Sequence, residues 1–147
     1  MRTLLLLGLL AVSGCNGASD RLVSQDLIIE DTLPTPLTET PGSAARGEAV
    51  FINRSQGHCV ICHQVAGLGI PFQGNAGPSL TDAGSRLSPE QLRLRIVDYQ
   101  LIRDDTLMPS YYRIHDLYQV EEASLGEPIL TAQDIEDLVA YLSALKD

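Results

Sequence analysis

Cys59-Val60-Ile61-Cys62-His63 constrains this chain more than any other stretch. Two thiols three positions apart can add to the two vinyl groups on one edge of a porphyrin. The imidazole one residue later is then held under the iron as its proximal ligand. The spacing predicts one haem c, covalently bound through Cys59 and Cys62, with His63 on the metal. The competing chemistry is a zinc knuckle, which needs a second pair of Cys or His ligands. The chain has three cysteines, and the third, Cys15, stands in a segment of a different kind.

A single covalent haem suits the rest of the composition. The chain has 147 residues, about one domain's worth, with two Phe, five Tyr and no Trp. So few large rings leave room for a porphyrin as the apolar centre of a small all-α domain. The formal charge is −9. That acidity excludes nucleic acid as a partner, because phosphate binding needs clustered Lys and Arg. The charge is uneven. Arg86 to Arg113 carries five Arg against four acids, whereas Ile114 onward carries eight acids against Lys146 alone. Such runs are read as solvent-facing.

The N-terminus reads as an address. Arg2 precedes an apolar run from Leu4 to Val12, the length of a signal-peptide core and too short to span a bilayer. Val12-Ser13-Gly14-Cys15 has the form of a lipobox, which predicts a lipoprotein-type signal over residues 1–14 and a lipidated Cys15. The expected location is periplasmic, on a membrane through that anchor. Residues 15–42 then read as a tether. Pro34, Pro36 and Pro41 stiffen a Thr-rich stretch with no helical or strand period, interrupted by Leu27-Ile28-Ile29.

The folded domain is expected over residues 43–147. A first helix near Ser43 or Ala44 covers Gly47 to Ile52, with Gly47 and Phe51 on one face. Gly67 to Pro78 is a Gly-rich loop. The free carbonyl of Pro78 is a candidate acceptor for the ring N–H of His63. Ser88-Pro89-Glu90-Gln91 combines a cap, a proline at the first helical position and a capping box. It predicts a helix to about Gln100, even though Leu92 to Ile96 alternates as a strand would. Thr131 to Asp134 is a second capping box, followed by Ile135, Leu138, Val139, Leu142 and Leu145 at helical spacing.

The sixth iron ligand follows by elimination. Met1 leaves with the leader, so Met108, backed by Pro109, is the one methionine of the mature chain. Its neutral thioether favours ferrous iron and raises the potential. His115 and Lys146 are the competitors, and His58 is disfavoured by its bonded neighbour Cys59. An iron closed by His63 and Met108 moves electrons and binds no substrate.

These residues together carry a family resemblance. Gly47-x-x-x-Phe51, the haem motif, Gly77-Pro78, Met108-Pro109 and a C-terminal helix ending Ala140-Tyr141-Leu142 resemble a class I cytochrome c. The resemblance implies a small fold of three to five helices around the haem. Leu107 to Arg113, a spacer of about twenty residues, and Ile129 to Leu142 are similar to the SoxX subunit of the SoxAX cytochrome. That similarity implies a periplasmic heterodimer with a SoxA-like subunit in a thiosulfate-oxidising enzyme of the L-cysteine S-thiosulfotransferase type. The partner's haem does the chemistry there, and this chain passes electrons to a downstream acceptor cytochrome. The lipobox is a departure from that pattern. Tyr111, Tyr112 and Arg113 follow Met108 directly and are expected near the haem edge, in reach of the partner. Two other readings stand beside this one: a free-standing periplasmic electron shuttle, and a lipoprotein holding structural zinc.

Overall fold

The computed structural model describes residues 21–146. Four α-helices, Ala44–Ile52 (α1), Ala83–Arg86 (α2), Pro89–Asp98 (α3) and Ala132–Ala144 (α4), are joined by loops that contain single 3-10 turns. Among the described residues no strand forms, and Ile29 and Thr32 make only an isolated bridge. The all-α expectation holds.

Local chemistry starts each long helix where expected. The Ser88 hydroxyl accepts from the Gln91 amide at 3.3 Å, and the Gln91 side chain accepts from the Ser88 amide at 3.0 Å. Thr131 and Asp134 reciprocate in the same way at the head of α4, each bond 3.1 Å long. Each box satisfies two amides that the first helical turn leaves open. The short helix α2 has no sequence signal of its own. It lies across the end of α4, with the Gly84 amide 2.8 Å from the Leu145 carbonyl.

Helices α1 and α4 cross at Gly47. A Cβ added there would stand 2.0 Å from the Asp137 carbonyl oxygen and 2.7 Å from the Tyr141 Cβ, so only glycine permits this approach. Phe51, one turn on, meets Tyr141 with ring centroids 5.5 Å apart. Asp137 secures the crossing. It accepts from the Ser43 amide at 2.7 Å and from two Arg46 nitrogens at 2.7 Å each.

The alternation in α3 has a simple cause: the helix is covered on nearly all sides. Leu92, Leu94, Ile96 and Val97 are all buried, and so are Arg93 and Asp98. A buried guanidinium needs partners. Arg93 finds them in Glu136 of α4, at 2.8 and 3.0 Å, and in the Leu33 carbonyl at 2.8 Å.

That last contact shows that part of the stretch read as a tether, residues 15–42, packs on the domain. Leu33 is 1% exposed and belongs to the hydrophobic core. Its amide donates to the Glu90 carbonyl at 3.0 Å, and the Leu37 amide donates to Glu136 at 2.8 Å. Asp31 pairs with Arg95 at 3.1 Å. The segment is a strap over α3 and α4. Its prolines leave it extended, while its amides and one leucine find partners on the helices. The leader and Cys15 lie outside the described residues.

Candidate functional site

The chain leaves α1 at Ile52 and reverses at His58, whose φ of 51° is left-handed. A single 3-10 turn, Cys59–Ile61, follows. The His63 amide closes back on the Cys59 carbonyl at 2.9 Å. One tight turn thus carries both thiols and the imidazole. Both thiols are free and partly buried. Burial pushes the Cys59 thiol up to about 12, with a smaller contribution from neighbouring Cys62.

The ring of His63 is held from one side. Its Nδ1 lies 2.8 Å from the Pro78 carbonyl oxygen. An Nδ1–H donating there leaves the lone pair on Nε2. The Gly77-Pro78 loop reaches this position because the Gly77 amide donates to the Cys62 carbonyl at 2.8 Å. The imidazole then packs directly on Gly77, where a Cβ would come within 2.4 Å of Cε1. The expected pairing of His63 with Pro78 is thus present in the geometry.

Met108 is partly buried and packs against the hydrophobic core, as does Cys59. Its amide donates to the Thr106 hydroxyl at 3.1 Å. The residues that follow Met108 are tied into the domain, and Tyr111 lies beside the haem turn. Tyr111 is turned inward, 8% exposed, and its hydroxyl donates to the Gly57 carbonyl at 2.9 Å. Burial raises the Tyr111 phenol, and the nearby Cys59 and Cys62 add to the effect. Arg113 is bound to Asp98 at 3.1 Å and to Gln100 at 2.7 Å. Tyr111 and Arg113 are internal fasteners of the Met108 loop. Position in the sequence relative to Met108 did not reveal this, because their partners lie 13 to 54 residues away.

The competing ligands are placed elsewhere. His115 lines a small pocket with Val97, Asp98 and Tyr112, beside residues 21–25. Lys146 is exposed beyond the end of α4. A cavity of about 790 Å³ lies next to the two loops, between Gln56, Pro109 and the 116–129 segment. Among the described residues no three His, Cys, Asp or Glu side chains gather into a cluster that could hold a metal ion.

The residues fit a covalently bound haem. Two thiols stand on one turn, an imidazole keeps Nε2 open, and Gly77 leaves the face of that ring bare of side chain. A thioether waits on a separate loop fastened to the same turn through Tyr111.

Residues 44–146 match the cytochrome c family. Over 111 residues the chain is 31% identical to cytochrome c oxidase subunit 2 of Alkalihalophilus pseudofirmus, a match that takes in 70% of this chain and 26% of that protein. The chain thus spans about a quarter of the length of this curated relative. A chain in the crystal structure of SoxXA from P. pantotrophus is 32% identical and superposes with a TM-score of 0.75, covering 81% of this chain and 93% of that one. The c-type cytochrome SorU from Sinorhizobium meliloti is 22% identical with a TM-score of 0.45, over 70% and 90% of the two chains. Among the described residues no helix is long and apolar enough to cross a membrane.

Proposed function

This chain belongs to the cytochrome c family and carries haem c for electron transfer, and we propose that it is the SoxX-like, electron-accepting subunit of a thiosulfate-oxidising SoxAX complex. The observation that carries the proposal is the likeness to the SoxXA chain, which extends over 93% of that chain's length.

The residues take simple roles in this reading. Cys59 and Cys62 would hold the haem covalently through their two sulfurs. His63 Nε2 and the Met108 sulfur would be the protein's ligands to the iron, with the Pro78 carbonyl keeping the His63 proton on Nδ1. When bound, haem c supplies a one-electron iron couple, and a His/Met pair sets that couple relatively high. With His63 and Met108 as its ligands the iron would be closed to substrate, so this chain would receive electrons while thiosulfate is oxidised on the partner.

The 116–129 segment supports a docked role over a free shuttle. It carries Leu117, Tyr118, Leu125 and Ile129 exposed, with Tyr118 93% open to solvent. It also borders the cavity beside both ligand loops. Exposed apolar side chains concentrated on one segment mark an interaction surface. We place the leader at residues 1–14, the lipid on Cys15 and the cytochrome domain at residues 43–147 of a periplasmic, membrane-held protein. Mass spectrometry of the mature N-terminus tests that part: acylated Cys15 supports it, and an unmodified N-terminus elsewhere contradicts it.

Co-purification from cells grown on thiosulfate tests the function. A second c-type cytochrome should accompany the tagged full-length chain in equal amount. Recovery as a monomeric red protein under the same growth conditions would favour the shuttle reading.

A further inference from the structure

We infer that Asp98 is the positioning residue for the axial methionine, holding the Met108 loop against the end of α3 so that the sulfur stays on the iron. The inference rests on Met108 as iron ligand.

Asp98 is the last residue of α3 and is 4% exposed. Its backbone has already left the helix, at φ −162° and ψ 92°, and this turns the carboxylate toward the loop that returns after Met108. One carboxylate oxygen accepts from the Ser110 hydroxyl and from the Gln100 amide, the latter at 3.2 Å. The other accepts from Arg113 Nη1 at 3.1 Å. Arg113 is itself braced by Gln100 at 2.7 Å. Ser110 stands two residues after Met108 with rigid Pro109 between them, so the Ser110 bond fixes the backbone that carries the sulfur.

The backbone repeats the attachment. The Tyr111 and Tyr112 amides donate to the Ile96 and Val97 carbonyls at 3.3 and 3.1 Å. These are carbonyls that the end of a helix leaves without intrahelical partners. Met108 has only the local bond of its amide to Thr106 on its other side. The loop is thus anchored firmly on its C-terminal side, and Asp98 is the single side chain that joins Ser110, Gln100 and Arg113. A buried carboxylate with several donors is a strong, directional clamp. No other residue type offers two acceptor oxygens and a countercharge for Arg113 at this reach.

Imidazole binding by the ferric, full-length holoprotein tests the inference, since imidazole enters only when the methionine sulfur leaves. Asp98→Asn and Ser110→Ala should each raise imidazole affinity on the order of tenfold, the effect of losing one hydrogen bond to a buried charge. Both should also weaken the near-infrared band of Met-ligated ferric haem. Ser110→Ala removes a single hydroxyl and carries the test if Asp98→Asn fails to accumulate haem. Glu136→Gln is the control for general loosening, because its buried pair with Arg93 does not touch the Met108 loop. It should lower the unfolding midpoint and leave imidazole affinity and the band as in the wild type. Wild-type affinity in Asp98→Asn and Ser110→Ala, or an equal rise in Glu136→Gln, overturns the clamp. A wild type that lacks the band and binds imidazole as Met108→Ala does overturns the ligand assignment itself, and the clamp with it.

Discussion

The hydroxyl of Tyr111 donates to the carbonyl of Gly57 across 54 residues of chain, at 2.9 Å. Gly57 lies two residues before Cys59, and Tyr111 lies three after Met108, so one hydrogen bond ties the haem turn to the methionine loop. The Leu130 amide donates to the Tyr111 carbonyl at 3.1 Å and brings in the approach to α4. Tyr111→Phe should leave the Gly57 carbonyl buried without its donor and cost about 1–3 kcal/mol of stability. Haem content should be unchanged, because neither thiol nor the imidazole is touched. Denaturant unfolding followed by circular dichroism reads the first effect, and the pyridine haemochrome reads the second.

Gly77 is the place where a single methyl group should disturb the imidazole. The added Cβ would stand 2.4 Å from His63 Cε1 and 2.7 Å from Nδ1. Backbone and ring cannot both stay, so the bond to the Pro78 carbonyl must break. Gly77→Ala should therefore lower the yield of haem-loaded protein several-fold, on the order of one lost charge-independent clamp. Gly67→Ala is the comparison: its would-be Cβ meets no atom within 4 Å, but its φ of +79° strains the backbone. It should cost some stability, yet it leaves the His63 ring untouched and should retain haem. Equal haem yields in the two variants would contradict the placement of the ring.

Asp137 gives the α1–α4 crossing a pH dependence. Burial alone would raise its carboxyl, but Arg46, the Ser43 amide and Gln133 outweigh that effect and hold it below its ordinary value. A depressed carboxyl stabilises the fold above its unfolded value, about 4, and the stabilisation is lost as pH falls through the folded value. Arg46 is 57% exposed, so solvent screens part of the interaction. Asp137→Asn should cost about 1–2 kcal/mol at neutral pH. The gap between variant and wild type should narrow below about pH 4. Thermal midpoints measured across pH 3–7 check both the size and the direction.

Local chemistry is what the sequence made legible. Ser88, Gln91, Thr131 and Asp134 act within one turn of each other, so their capping boxes announce α3 and α4 without tertiary context. The haem turn is equally local, and Gly77-Pro78 follows it closely enough for the His63 contact to be expected. The long-range pairings could not be read that way. Arg93 and Glu136 lie 43 residues apart, and Asp98 and Arg113 lie 15 apart. Each looks like an ordinary surface charge until the fold buries it. Leu33 shares its stretch of prolines and threonines with only one other apolar residue, Leu37, and no period declares it core. Its burial depends on the groove that α3 and α4 make together. Helix α2 has four residues, too few for periodicity to register.

Reduction of this chain's haem by thiosulfate, followed by stopped-flow absorbance with and without a SoxA-like partner and a carrier thiol, tests the electron-accepting role most directly. A metal closed by His63 and Met108 predicts no reduction of the isolated chain by thiosulfate, and reduction once the partner and carrier are added. Rapid reduction of the isolated chain would contradict it.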